Sequence, residues 1–127
     1  MSSQRRCILC VDDNHCYRRY IEFVFSDSYD LVFAASGEEC IETYREELID
    51  IVLIDSALPD ISATEICEIL KDDPIMTGVP VIFLTEYISS SERICVYRSG
   101  GDDYLSKEVS PNELHAVVDI ALEELAA

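Results

Sequence analysis

Cys7-Ile8-Leu9-Cys10-Val11-Asp12-Asp13 is a short apolar run that stops at two acids, and Ile51-Val52-Leu53-Ile54-Asp55 is a second that stops at one. Brief, wholly apolar runs between polar flanks read as strands covered on both faces, the condition of a parallel sheet. Parallel strands deliver Asp12, Asp13 and Asp55 to the same edge, and in open α/β sheets ligands bind outside the carboxyl ends of the strands. At ~4 Å, two carboxylates repel by about 4 kcal/mol at an effective dielectric near 20, and a third adds to it. Acids gathered in this way require a cation, and a hard divalent ion meets that need with oxygen ligands.

Outward from these two runs, apolar segments alternate with helical patterns five times. The expected strands are Cys7–Val11, Leu31–Ala35, Ile51–Ile54, Val81–Leu84 and a short Tyr104-Leu105. Helix starts are marked by Ser36-x-x-Glu39, Ser62-x-x-Glu65, Ser89-x-x-Glu92 and Ser110-x-x-Glu113, each a match to the capping box, and Pro111 takes the favoured first helical position. On the last helix Leu114, Val117, Val118, Ala121, Leu122 and Leu125 form one stripe, with Glu113, His115, Asp119 and Glu123 elsewhere. The fold expected is α/β, a (βα)5 arrangement.

Composition limits what the acidic edge serves. The 127 residues fit a single domain over 1–127 with no output domain in it, and 49% apolar content suffices for its core. No apolar run approaches the ~20 residues that span a bilayer, and Met-Ser-Ser-Gln-Arg-Arg lacks the apolar stretch of a signal peptide. A soluble, cytoplasmic protein is expected. Its net charge of -17 repels phosphate backbones and anionic lipid, which argues against direct nucleic-acid binding and membrane association. Six cysteines are spread one per element apart from Cys7 and Cys10, whose side chains on one strand point to opposite faces. They are read as small buried hydrophobes rather than a disulfide or metal framework.

The fourth strand ends at Thr85 and the fifth leads into Lys107, so a hydroxyl and an ammonium share the edge with the three acids. No GxGxxG follows the first strand and no GxxxxGK occurs, which disfavours dinucleotides and nucleoside triphosphates. No serine elbow is present, and His15 and His115 show no partner pattern for nucleophilic catalysis.

Val11-Asp12-Asp13-Asn14, Asp55-Ser56-Ala57-Leu58-Pro59-Asp60, Phe83-Leu84-Thr85 and Gly101-Asp102-Asp103-Tyr104-Leu105-Ser106-Lys107 together resemble the receiver domains of two-component response regulators, from Cys7 to about Leu125. The resemblance implies a flavodoxin-like sheet of strand order 2-1-3-4-5 with helices on both faces. It implies that Asp55 is the phosphoacceptor and that Mg²⁺ or Mn²⁺ is held by Asp13, Asp55, the Ala57 backbone carbonyl and, through water, Asp12. Lys107 and the Thr85 hydroxyl then bind phosphoryl oxygens, with Thr85 and Tyr104 as the switch pair. The implied partners are a histidine kinase or histidine phosphotransfer protein and a downstream protein that reads the surface of the fourth helix, fifth strand and fifth helix. No enzyme activity beyond self-phosphorylation and self-dephosphorylation is implied, and the domain is expected as a monomer or weak dimer.

Some positions depart from that pattern. Glu108 stands where proline follows the lysine. A cis bond without proline costs about 3 kcal/mol, so a trans bond and a displaced Lys107 are expected. Glu86 follows the switch threonine in place of a small residue and is expected to narrow access or repel phosphate. Ala63 replaces a glycine, and Val117 replaces an arginine of the charged dimer contact. Ala57 carries no group to orient a water and Tyr87 is bulky enough to cover the approach, so slow self-dephosphorylation is expected. Two readings stand at this point. One is a phosphoacceptor signalling domain; the other, suggested by Glu86 and Glu108, is a receiver-like interaction module that no longer signals by phosphate. A metal-dependent phosphohydrolase fits less well, because no second carboxylate stands two residues after Asp55.

Overall fold

The computed structural model describes residues 5–73 and 78–126, with side chains as far as Glu123. The Met1–Gln4 part of the leader argument lies outside the described residues, and the Leu125 side chain of the last-helix stripe outside the described side chains. Five strands, β1 (Cys7–Val11), β2 (Asp30–Ala34), β3 (Ile51–Asp55), β4 (Val81–Thr85) and β5 (Asp103–Ser106), alternate with α1 (His15–Phe25), α2 (Gly37–Glu46), α3 (Ala63–Lys71), α4 (Ser90–Arg98) and α5 (Pro111–Ala126). All strand pairs are parallel and the order is β2-β1-β3-β4-β5, as the resemblance implied. Asp55 and Thr85 belong to the strands rather than following them, because the ladder carries on through Asp55 opposite Leu84 and Thr85 opposite Ser106.

Strand alternation divides the core into two layers. Leu9, Val11, Val52, Ile54 and Phe83 meet Tyr44 of α2, Ile66 of α3 and Val96 of α4, and Tyr104 joins this layer. Ile8, Cys10, Ile51, Leu53 and Leu84 meet Ile21 and Phe25 of α1 and Leu114 and Val118 of α5 on the other face. The three central strands are thus covered on both sides, which is why their sequences are apolar almost throughout.

All four serines cap as expected, accepting from the N–H of Glu39, Glu65, Glu92 and Glu113. A fifth cap, Asn14 on α1, accepts from Tyr17 N–H at 3.1 Å. Ala63 has no positive φ, so the glycine it replaces is not needed here. The cysteine reading is corrected in part: Cys10, Cys40 and Cys67 are buried, whereas Cys16 and Cys95 are exposed on helix faces turned from the sheet. His115 also has partners that sequence spacing did not reveal. Its Nδ1 lies 2.9 Å from Asp119 Oδ2, its Nε2 lies 3.3 Å from Ser28 Oγ, and Tyr29 donates its hydroxyl proton to the same aspartate, which ties α5 to the turn before β2.

Two glycines permit close approaches, Gly37 at the functional edge and Gly101 at the opposite edge of the sheet. The Asp60 carboxylate accepts the N–H groups of Gly37 and Glu38 at 2.9 and 3.0 Å, binding the loop after β3 to the start of α2. A Cβ on Gly37 would lie 2.7 Å from Ile66 Cδ1. At the end of α4, Gly100 takes φ of +100° and Gly101 N–H returns to Val96 O at 2.9 Å, a Schellman closure. A Cβ on Gly101 would stand 2.6 Å from Val96 Cγ1 and 2.9 Å from Val96 O. Gly37→Ala and Gly101→Ala are each expected to destabilise the protein by about 1–3 kcal/mol. Urea unfolding midpoints measure this; unchanged midpoints would show that the neighbours yield freely.

Candidate functional site

The carboxyl edge of the sheet carries a cavity of about 410 Å³ lined by Asp13, Asn14, Asp55, Ser56, Ala57, Thr85, Glu86, Tyr87, Ser89, Glu92 and Lys107. Asp12 follows β1 directly, and its N–H bonds Ala34 O at 3.0 Å, which prolongs the pairing with β2. Its carboxylate is then fixed on both oxygens: Asn14 N–H donates to Oδ1 at 2.9 Å, and Lys107 Nζ lies 2.6 Å from Oδ2. Asp55, at the end of β3, accepts Ala57 N–H on Oδ1 at 3.2 Å, with Lys107 Nζ 3.6 Å from that oxygen.

Lys107 is therefore the hub of the edge. The Lys107–Glu108 bond is trans, and Lys107 Nζ lies against Asp12 and Asp55. Lys107 N–H bonds Thr85 O at 2.7 Å and Glu108 N–H bonds Ser106 Oγ at 3.0 Å, so the turn after β5 aims the ammonium at the acids without proline. The Lys107 side chain is only 9% exposed, and its Nζ sits 4.4 Å from the centroid of the Tyr17 ring. A partly desolvated ammonium over an aromatic face gains a cation–π attraction as well as the ion pair. Tyr17 was not marked by any motif. It is the residue that sequence reasoning missed, and its one signal is its place three residues after the Asn14 cap.

Burial raises the pKa of Asp55, helped by the charge of Asp12 and to a smaller degree Asp13, while Lys107 and the Ala57 N–H oppose. For Lys107, burial pulls downward, but the hydrogen bond to Asp12 and the charges of Asp12, Asp55 and Glu86 outweigh it and hold the pKa above the ordinary lysine value. Glu86 is exposed at the cavity rim and acts on Lys107 through its charge.

One carboxylate oxygen from each of Asp12, Asp13 and Asp55 lies within 4.8 Å of the others. Three hard oxygen donors with a single ammonium beside them leave net negative charge, and this donor set fits a divalent ion of the magnesium type. Since both Asp12 oxygens already have partners, Asp13 and Asp55 are the acids best able to ligate directly.

Thr85 and Tyr104 are brought together through one carbonyl. Thr85 Oγ1 donates to Tyr87 O at 3.0 Å and Tyr104 Oη donates to the same oxygen at 3.4 Å. The Tyr104 ring is 4% exposed, already turned inward against the α2–α3–α4 layer. Tyr87 departs from expectation: its backbone serves this network, but the residue is 80% exposed, so its ring is not packed over Asp55.

Residues 8–119 match the response regulator receiver domain. The chain belongs to that family. Among its relatives is the Porphyridium aerugineum protein named "Probable transcriptional regulator ycf27", 35% identical over 114 residues, covering 89% of this chain and 46% of that one. Another is the DNA-binding response regulator MtrA of Mycolicibacterium smegmatis, 31% identical over 119 residues, covering 93% of this chain and 51% of that one. The receiver domain thus spans about half the length of the curated relatives it matches. Among solved structures, a CheY-like response regulator receiver domain protein from Methanospirillum hungatei superposes with a TM-score of 0.88 at 26% identity, covering 95% and 96% of the two chains. No helix among the described residues is long and apolar enough to cross a membrane.

The raised pKa of Asp55 makes a stability prediction. A folded-state pKa above the unfolded value contributes stability that is fully present below the unfolded pKa and is lost as pH rises through the folded one. At neutral pH the ionised Asp55 is a burden on the fold, so Asp55→Asn is expected to raise the unfolding midpoint at pH 7 in chelator. The advantage should shrink as pH falls through the raised folded-state value and be gone below the ordinary carboxylate range. Urea titrations across that pH span test it, and an Asn variant less stable at pH 7 would contradict the sign.

Proposed function

We propose that this receiver domain is the phosphoacceptor of a two-component or phosphorelay system, taking a phosphoryl group on Asp55 from the phosphohistidine of a kinase or phosphotransfer protein. The observation that carries the reading is Lys107, a buried ammonium 2.6 Å from Asp12 and 3.6 Å from Asp55 in a cavity that Thr85 also lines. Glu108 had favoured a module freed from phosphate chemistry by displacing Lys107; the lysine instead faces the acids.

Transfer from phosphohistidine needs an in-line attack. An Asp55 carboxylate oxygen forms the new O–P bond as the P–N bond to the donor imidazole breaks, and the electron pair leaves with the ring. Negative charge on the three equatorial oxygens must be neutralised where it develops. Asp13, Asp55 and the Ala57 carbonyl would hold Mg²⁺ or Mn²⁺, with Asp12 acting through water. When bound, the ion supplies neutralisation of the phosphoryl oxygens and of the clustered acids. Lys107 offers N–H donors to a second oxygen. Thr85 has one hydroxyl proton, now given to Tyr87 O. Turning that proton to the phosphoryl group leaves the Tyr87 carbonyl to Tyr104 alone, which strengthens the inward Tyr104 and alters the α4–β5–α5 surface read by a downstream partner.

The acidic surface supports protein partners over direct nucleic-acid contact by this domain, and a cytoplasmic setting follows from its donors. MtrA is named as DNA-binding, and by analogy the output here would belong to a different segment or partner. Self-dephosphorylation is proposed to be slow because Ala57 cannot orient an attacking water. With Tyr87 exposed, Ala57 carries this role, and Ala57→Asn is expected to shorten the phosphoryl lifetime while Tyr87→Ala changes it little.

The test is intact-mass analysis after acetyl phosphate. A single phosphoryl gain is expected with Mg²⁺ and not with chelator, and Asp55→Asn is expected to abolish it. Labelling that survives in Asp55→Asn would reject the assignment. Thr85→Ala should still take the phosphoryl group yet lose the spectral response of Tyr104.

A further inference from the structure

The four capping boxes are not used alike. In the reciprocal half of this motif the glutamate turns back to the backbone N–H of the N-cap; Glu39 reaches one residue further, accepting from Ala35 N–H at 3.2 Å. At α4 the N-cap donor is Ser89 N–H. It points to Tyr104 Oη instead, at 3.4 Å. Glu92 Oε1 is left buried with no hydrogen-bond partner. Glu92 also borders both the Asp55 cavity and a neighbouring one of about 400 Å³ between the starts of α3 and α4.

We propose that Glu92 is a positioning residue of the switch: its carboxylate and the Tyr104 hydroxyl compete for one donor, the Ser89 backbone N–H. This rests on the reading of Thr85 and Tyr104 as a switch pair and extends it to the start of α4. With the ring inward, Tyr104 Oη takes the proton and donates its own to Tyr87 O, while Glu92 keeps a carboxylate oxygen away from water with no donor. A buried acceptor in that condition is destabilising. With the ring outward, Ser89 N–H is released to Glu92 and the capping box closes. Glu92 therefore weighs against the inward ring, and Arg93, whose guanidinium lies 6.0 Å over the Tyr104 ring, weighs for it. Phosphorylation has to overcome the difference, which makes Glu92 a setting for how strongly the domain resists switching on.

Beryllofluoride with Mg²⁺, a phosphoryl mimic, is the probe, and its affinity reads the fraction of protein already in the competent form. Glu92→Ala removes the competitor, so binding is expected to tighten by about tenfold, the scale of one unpaired buried acceptor. Glu92→Gln keeps an acceptor oxygen and is expected to stay near the wild-type value, and it also guards against misfolding of the alanine variant. In a Tyr104→Phe background the hydroxyl that competes is gone, and Glu92→Ala should then have no effect. Simple repulsion between Glu92 and the anion predicts the opposite pattern, with Gln and Ala tightening equally and persisting in the Tyr104→Phe protein; that result would overturn the proposal. Equal affinity of wild type and Glu92→Ala overturns it while leaving the phosphoacceptor reading intact. Failure of every protein to bind beryllofluoride removes both.

Discussion

Three acids can be folded onto one sheet edge only if something of opposite charge is folded with them, and in this domain that role falls to the Lys107 ammonium. It lies 2.6 Å from Asp12, and the Tyr17 ring backs it on the far side. Breaking such a pair by removing one partner leaves an uncompensated buried charge, which is far more costly than the pair is worth in isolation. The arrangement of β1, β3 and β5 is accordingly more than a scaffold. β1 and β3 bring acids that are tolerable only with the lysine that follows β5 beside them.

That dependence explains how the loops are built. Asp12 is gripped by Asn14 N–H, Asp55 by Ala57 N–H, and Lys107 by Thr85 O through its backbone. Short loops with their own hydrogen bonds hold the charges at fixed separation, so little reorganisation is required when a phosphoryl group approaches. Glu108 replaces the expected proline without loosening the lysine, because the Ser106 hydroxyl fixes the turn by accepting Glu108 N–H.

Much of this was legible in the residues. Apolar runs stopping at Asp12 and Asp55 gave a parallel sheet, and the serine caps marked four helix starts, because both signals are local. What escaped was relational. Asn14 serves as a cap although no glutamate follows three residues later, and Tyr17 becomes a seat for Lys107 only when β5 and α1 meet. Cys16 and Cys95 look like the other cysteines in sequence, and the facing of each helix decides that they are exposed. Tyr87 was expected over the site on bulk alone. Its backbone turned out to matter, through a carbonyl that two hydroxyls share, while its ring faces solvent. Val117 is partly buried against the α5 side of the core, as an apolar residue at that position would be.

α4 differs from the other helices in a way that bears on motion. It buries Val96 alone, with Ile94, Cys95 and Tyr97 exposed. A helix anchored by one side chain has little packing energy to lose, and regions with few buried contacts open at low free-energy cost. Its far end is closed by Gly100 and Gly101 and its near end by the groups around Ser89. The middle of α4 is then the part of the domain that proteases and amide exchange should find first, and a partner could select it by folding around it rather than by docking to a rigid face.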